Sequence, residues 1–461
     1  MTDKNKVSES QVFARSSGES YQQILDKEQN PVPDALREST NTYLGSEPLS
    51  VDRYLSREYH DLEVNKMWNR TWQAVCRETE LSGAGDFFVH DIATHSVFVT
   101  RNESLQLKGY YNACLHRGRQ LKTGTGTARE VKCPFHGFRW NLDGEFQGAP
   151  CQWDFPHINP EEFALPEVQV DTWGGWVFIN MDENAEPLHS YMGIIPEHFE
   201  RWKPETTFKA MHIEKVIGCN WKVAWEAFIE SYHTVQTHPQ ILPYLADSNS
   251  QYDVWGDNVS RTISPMGVVS PHLENVPANK TVNDWLDHGA WMSGDQVVDV
   301  PEGMTAREWL ADYFFKHRSE EYQMDLASFC THSEIMDSIL YSLFPNFAPW
   351  AGFHPNLTYR MKPYGDDHTR CTMEIILLMR FPEGAERPAD CDVVRLSQEQ
   401  MFSEAPGLEG GLGRVFDQDF TNLEAIQRGM KNLKSGQVEL ANYQEVRIRH
   451  FHQTLDKYLF D

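Results

Sequence analysis

The first 48 residues are polar, rich in Ser, Asn, Gln and Glu, and interrupted by Pro31 and Pro33. That texture predicts a mobile arm, of the kind that orders against a partner subunit. From 51 to 77 the apolar residues Leu62, Met67 and Trp72 recur at helical spacing, and a helix is expected. Between 86 and 182 short β-rich runs such as HSVFVTR and EVQVDTWGGWVFINM alternate with Gly-bearing turns, which predicts a small all-β domain. After Pro187 the pattern is mixed. A strand-like run, FKAMHIEKVIG, leads into a helical stretch, NWKVAWEAFIESYH. Residues 251–329 show little strand pattern and end in a helix, which suggests a cap over a pocket. Strands follow at LTYRMKPYG and RCTMEIILLMRF, then helices from about 417 to 432 and at the end of the chain. The expected segments are an arm (1–48), a β domain with a preceding helix (49–190) and an α+β domain with an antiparallel sheet and long helices (191–461).

Composition narrows the partners. Hydrophobic residues make up 40% of the 461 and charged residues 23%, both ordinary for globular domains, but the formal charge is −26. Such a surface repels nucleic acid and anionic membranes, so neither is expected as a partner. The N-terminus lacks the apolar core of a signal peptide, and IILLM at 375–379 is only strand-sized, so a cytoplasmic location is expected. Eight cysteines are too sparse for a disulfide scaffold and are expected as thiols or metal ligands.

Four residues in the β-rich region carry chemistry. NACLHRGRQL offers Cys114 and His116; KCPFHGFRWNLDGEF, beginning sixteen residues after His116, offers Cys133 and His136. A zinc finger usually takes two Cys from one turn and two His from a helix. Mixed Cys/His pairs suit a two-iron cluster instead, with both thiolates on one iron and both imidazoles on the other. Pro134, Gly118 and Gly137 suit tight loops around such a cluster. The remaining cysteines, at 76, 151, 219, 330, 371 and 391, have no ligand spacing and read as free thiols.

CLHRG followed by CPFHGFRWNLDG resembles the Rieske signature of the aromatic-ring-hydroxylating oxygenases, with Phe138 where a Trp is common. A second constellation, EAFIESYHTVQTHPQ, extends the picture. Glu226, Glu230 and His233 are spaced by four and three, one face of a regular helix. His238 lies five beyond His233, and Pro239 disfavours helical geometry there, so a break that swings His238 toward His233 is expected. Two histidines and a carboxylate with open positions are the facial set of non-haem Fe(II) oxygenases. The segment is similar to that family's catalytic-iron motif, which implies His233 and His238 as iron ligands. The same resemblance implies Glu230 as the carboxylate bridging to a cluster histidine, by analogy His136, of a neighbouring subunit. The bridge is Glu rather than the commoner Asp, and Glu226 stands where Asn is frequent; a bridging Glu is reminiscent of the branch acting on quaternary amines. GRVFDQDFTNLEAIQRG resembles the segment supplying the third ligand, with Asp417 and Asp419 both candidates and Asp419 favoured because Glu424 follows at a family-like position. Phe228, Trp225 and the run FPNFAPWAGFHP at 344–355 are candidate pocket or core residues; His354 has no partner at ligand spacing.

The resemblance, from about residue 50 onward, implies an N-terminal Rieske [2Fe–2S] β domain and a helix-grip catalytic domain holding mononuclear Fe(II). It implies a terminal oxygenase taking electrons from NAD(P)H through a reductase or ferredoxin and using O2 on a small-molecule substrate. A homotrimer, with or without a small β subunit, is the implied assembly. Ring hydroxylation of an aromatic or other apolar compound is the first expected activity. Mono-oxygenation of a methylated or quaternary amine or ether is the second, and an electron carrier the third.

Overall fold

The structure is a computed structural model that describes residues 13–288 and 297–460. Residues 1–12 of the expected arm and 289–296 of the expected cap lie outside it. Two compact units emerge, one of residues 61–192 with 363–367, the other of the remaining chain.

The smaller unit is β throughout its centre. Seven strands run in the order Gln73–Arg77, Trp176–Asn180, Glu167–Trp173, Leu107–Tyr111, His95–Arg101, Asp86–Ile92 and Thr125–Thr127. Val131–Lys132, Arg139–Trp140 and Phe146–Gly148 form a second, three-stranded sheet. The helix expected over 51–77 is shorter. It runs in pieces, Asp52–Leu55 and Arg57–Leu62, ends in a π turn at Glu63–Met67, and gives way to a fully buried strand at 73–77. All five residues of QAVCR are buried, Gln73 and Arg77 included, and the run sits in the sheet beside Trp176–Asn180.

In the larger unit eight strands are ordered Gln251–Trp255, Val259–Ser264, Ser338–Leu343, Phe347–Ala351, Asn356–Tyr364, Asp367–Arg380, Thr207–Ile217 and Val394–Leu396. The last pairs in parallel with Thr207–Ile217. The start of the expected cap is therefore sheet: QYDVW and VSRTIS are hairpin strands whose polar alternation hid them, because Asp253, Arg261 and Thr262 are buried in hydrogen bonds. Helices Ala278–His288 and Ala306–Tyr322 follow, then Gly411–Met430 and Val446–Phe460.

The arm is not loose where it is described. Tyr21, Ile24 and Leu25 form one buried face of a short helix capped by Ser20. Glu28 pairs with Arg307 at 3.2 Å and accepts from the His332 and Ser333 amides, while Asn30 donates to two carbonyls near Cys330. Polar composition concealed a strap whose polar groups are spent on the rest of the larger unit rather than on water.

Candidate active site: two loops and a broken helix

In the smaller unit two loops fold alike. The Cys114 amide donates to the Arg119 carbonyl (2.9 Å) and the Gly118 amide returns to the Cys114 carbonyl (2.8 Å). The Cys133 amide donates to Phe138 (2.8 Å) and Gly137 to Cys133 (3.0 Å), the same offsets of five and four. Gly118 and Gly137 close these turns at φ +73° and +76°, a region costly for any residue with a Cβ. The loops bring both thiols together, buried, over a core of Phe98, Tyr110, Phe138, Trp140 and Phe146. The rings of His116 and His136 lie 4.8 Å apart, and Phe138 stacks on His116 at 4.6 Å and 14°. Burial, together with the neighbouring Cys133 thiol, raises the Cys114 thiol above its usual range. His116 Nδ1 is buried with no partner among the described residues. A thiol held above its usual range beside a second thiol, with an orphaned imidazole nitrogen, is a donor set that a pair of irons would satisfy. The donor set fits a [2Fe–2S] cluster.

The second centre starts from a helix that stops early. Trp221–Ala227 is helical, with Asn220 capping it, but the helix ends there, so Glu226, Glu230 and His233 do not share one regular face as their spacing predicts. The backbone after Phe228 finds tertiary partners in place of helical ones. Ile229 O accepts from Arg447 Nη1 (3.2 Å) and Thr262 Oγ1 (3.3 Å), and the Ser231 amide donates to the Tyr252 hydroxyl (3.1 Å). A single further turn, Thr234–Thr237, then ends at His238 with φ −125° and ψ 52°, ahead of Pro239. This bend turns His238 back until its ring lies 5.2 Å from that of His233.

Asp419 completes the group. It sits inside the helix Gly411–Met430, which begins well before the expected start near 417, so neither aspartate is an N-cap. Its Oδ1 is 2.9 Å from His238 Nε2 and 3.5 Å from His233 Nε2. Ligand atoms of His233, His238 and Asp419 all lie within 4.8 Å of one another. Asp417 instead accepts from the Phe402 amide at 2.6 Å, on another side of the same helix. The outer nitrogens are fixed too. His233 Nδ1 donates to Glu230 Oε1 (2.6 Å), and His238 Nδ1 donates to Gln418 Oε1 (2.9 Å), which also accepts from Gln240 Nε2 (2.7 Å). Both imidazoles therefore present Nε2 lone pairs toward Asp419, the arrangement a divalent ion needs. Gln418 and Gln240 escaped the sequence reading, although Gln418 adjoins Asp419. Glu424 ties the helix to the sheet by accepting from the Gly218 amide and Gln398.

His233, Glu230 and Asp419 form a wall between two cavities. One, of about 230 Å³, is lined by rings and aliphatic chains, among them Phe228, Tyr244, Trp285, Trp350, Tyr359 and Phe416. Trp350 comes from the 344–355 run, and His354 lines the same cavity; Trp225 is core, packed against Phe451. The other, of about 370 Å³, holds Glu226, Glu439 and Glu445. Burial pushes the Glu226 carboxyl up to about 8 and that of Glu445 to about 7.

A fold with an iron–sulfur loop pair and a two-histidine, one-carboxylate centre defines an oxygenase of the Rieske type. Residues 197–460 match the model of the ring hydroxylating alpha subunit catalytic domain and residues 71–159 that of the Rieske [2Fe-2S] domain, so the chain belongs to the ring-hydroxylating oxygenase alpha-subunit family, with a Rieske cluster and mononuclear non-haem iron as its cofactors. The carnitine monooxygenase oxygenase subunit of Acinetobacter pittii is 26% identical over 256 residues, 54% of this chain and 67% of the relative. The biphenyl 2,3-dioxygenase alpha subunit of Rhodococcus jostii is 28% identical over 199 residues, 42% of this chain and 43% of the relative. Among solved structures, a quaternary ammonium Rieske monooxygenase bound to gamma-butyrobetaine aligns with a TM-score of 0.62 at 16% identity, covering 90% of this chain and 96% of that one. Naphthalene 1,2-dioxygenase with indole bound gives 0.61 at 16%, covering 91% and 93%. Among the described residues no helix is long and apolar enough to cross a membrane.

Proposed function

We propose that this terminal oxygenase hydroxylates a small, largely apolar molecule, with a ring compound as first choice. The character of the 230 Å³ cavity carries this reading. Among the described residues its only carboxylates, Glu230 and Asp419, belong to the metal end, and the rest of its lining is aromatic or aliphatic with a few hydroxyls, two further histidines and Arg318. Among the described residues a cationic substrate would meet ring faces but no carboxylate away from the metal. The volume lies below the roughly 300–1,000 Å³ of drug-sized pockets, which suits a molecule of one or two rings.

In this reading His233, His238 and Asp419 hold the iron, and Cys114, His116, Cys133 and His136 hold the cluster. Bound there, the two centres supply O2 activation and one-electron storage, fed from NAD(P)H by a ferredoxin or reductase. Glu230 is the bridge. Its Oε1 already holds His233 Nδ1–H, and it opens onto the acidic cavity as well as the apolar one. Electrons reaching it from the His136 of a neighbouring subunit would make the assembly a ring, a homotrimer, with a small β subunit optional.

A second reading is mono-oxygenation of a quaternary amine. It is supported by the Glu at position 230 and by the naming of the Acinetobacter relative, and the rings of Trp285, Tyr244, Trp350 and Tyr359 could hold an ammonium by cation–π attraction. Product analysis decides between them. Reconstituted enzyme with a reductase should couple O2 uptake to a hydroxylated ring compound. Release of an amine or formaldehyde from a betaine, with no ring product, would replace the first reading by the second.

A further inference from the structure

We propose that Arg318 is an anion-recognising end of the substrate cavity, and that the substrate carries a carboxylate on its apolar body. The inference rests on the reading of the apolar cavity as the substrate chamber and specifies what enters it.

Arg318 projects from the helix Ala306–Tyr322, lines the cavity and is only 7% exposed. Its Nη1 donates to Glu321, whose carboxylate is partly in solvent. Its Nε is buried and has no partner among the described residues. Buried donors are nearly always paired, so an unpaired guanidinium edge in a cavity wall marks a place for an acceptor. The Nε side of a guanidinium is one edge of the fork that grips a carboxylate through two parallel hydrogen bonds. A lysine could not offer that fork.

The position of Arg318 sets the orientation. A succession of cavity-lining side chains leads away from the metal group. Burial and then the Asp419 carboxylate raise the Tyr359 phenol. The Tyr359 ring is 6.4 Å from Trp350, and Trp350 is 5.7 Å from His354. Burial holds the His354 imidazole below its usual range, and the Arg318 charge adds to this. Arg318 is thus joined to the metal ligands by a run of cavity-lining rings, Tyr359, Trp350 and His354. An anion held at Arg318 would direct the other end of an apolar body toward the histidines. This gives regiochemistry as well as affinity.

The test is calorimetric titration of iron- and cluster-loaded protein with three matched pairs: benzoate, 1-naphthoate and 4-phenylbutanoate against their amides. At least one acid should bind about tenfold more tightly than its amide at low salt, a preference that Arg318→Gln removes while leaving amide affinity in place. Glu321→Gln, which releases Nη1 from its internal carboxylate, should strengthen acid binding several-fold and settles the matter if Arg318→Gln does not fold. The proposal is overturned if no acid is preferred over its amide, whether both bind or neither does. It is equally overturned if the preference survives Arg318→Gln, or if Glu321→Gln leaves it unchanged. Oxygen uptake separates this from the function itself. Hydroxylation of a neutral ring compound without acid preference would leave the oxygenase reading standing and remove the subsite. Arg318-dependent acid binding without any ring product, joined by Arg318-dependent turnover of gamma-butyrobetaine, would keep the subsite and replace the apolar body by a quaternary amine.

Discussion

The two proposed metal-binding regions are built on opposite plans. The cluster loops draw four donors from residues 114–136 and carry their own scaffolding, since each loop closes on itself with the same pair of backbone bonds and one left-handed glycine. The proposed iron centre takes two histidines from a broken helix and a carboxylate from a helix some 180 residues later. Even the break is held from outside, by Tyr252, Thr262 and Arg447. A loop that satisfies its own backbone can be recognised from its spelling. A site whose backbone is satisfied by distant side chains depends on the whole unit being folded.

The largest effects should come from removing one ligand at each centre. Asp419→Ala should empty the mononuclear site and reduce turnover to background while keeping about two irons and two acid-labile sulfides per chain. Cys133→Ser should do the reverse, losing sulfide and the visible cluster spectrum but retaining the other iron. Iron and sulfide assays on both variants check this. Loss of both metals in either variant would break the contrast, because the centres would then not be independent.

A smaller effect is expected where the plans meet. Glu230→Gln preserves an oxygen for His233 Nδ1–H but removes the charge between the two cavities. Both metals should stay bound and coupled turnover should fall on the order of a hundredfold, the scale of a lost proton- or charge-handling group. Normal coupled turnover in that variant would defeat the bridging role, and loss of iron would make Glu230 a support for His233 instead.

The same contrast explains what could be read from the sequence. Cys114, His116, Cys133 and His136 were legible because donors, spacing and turn glycines lie in two short strings. His233 and His238 were legible only with Pro239 beside them, which announces the bend. The placing of Asp419 rested on resemblance, since nothing local distinguishes it from Asp417; the difference is which side of one helix faces the histidines. The hairpin at 251–264 and the strap at 13–48 were missed for a common reason. Their polar residues are buried and paired, and polarity without its partner reads as loop. Gln418, Gln240 and Arg318 carry no signal at all until the cavity and the helix faces exist.

The smallest predicted effect concerns the acidic side of the wall. Glu226 Oε1 lies 2.7 Å from His452 Nε2, and Tyr54 donates to its Oε2 at 3.1 Å. Burial raises its carboxyl to about 8, so the folded protein keeps a proton that the unfolded chain releases near 4.5. Because the folded state binds more protons across that interval, its stability falls as pH rises from about 4.5 to 8 and levels off above, by up to roughly 1 kcal/mol per pH unit. Glu226→Gln presents the same shape, an oxygen for Tyr54 and an amide donor for His452, without a titrating proton. Melting curves from pH 5 to 9 should show the wild type losing stability against this variant up to about pH 8 and running parallel beyond. The cluster loops should be indifferent, so the melting midpoint of the visible cluster absorbance should shift with pH only if the cluster melts with the iron-bearing unit. Parallel curves across the whole range would mean that the Glu226–His452 pair carries a compensating charge and that this cavity stores no proton.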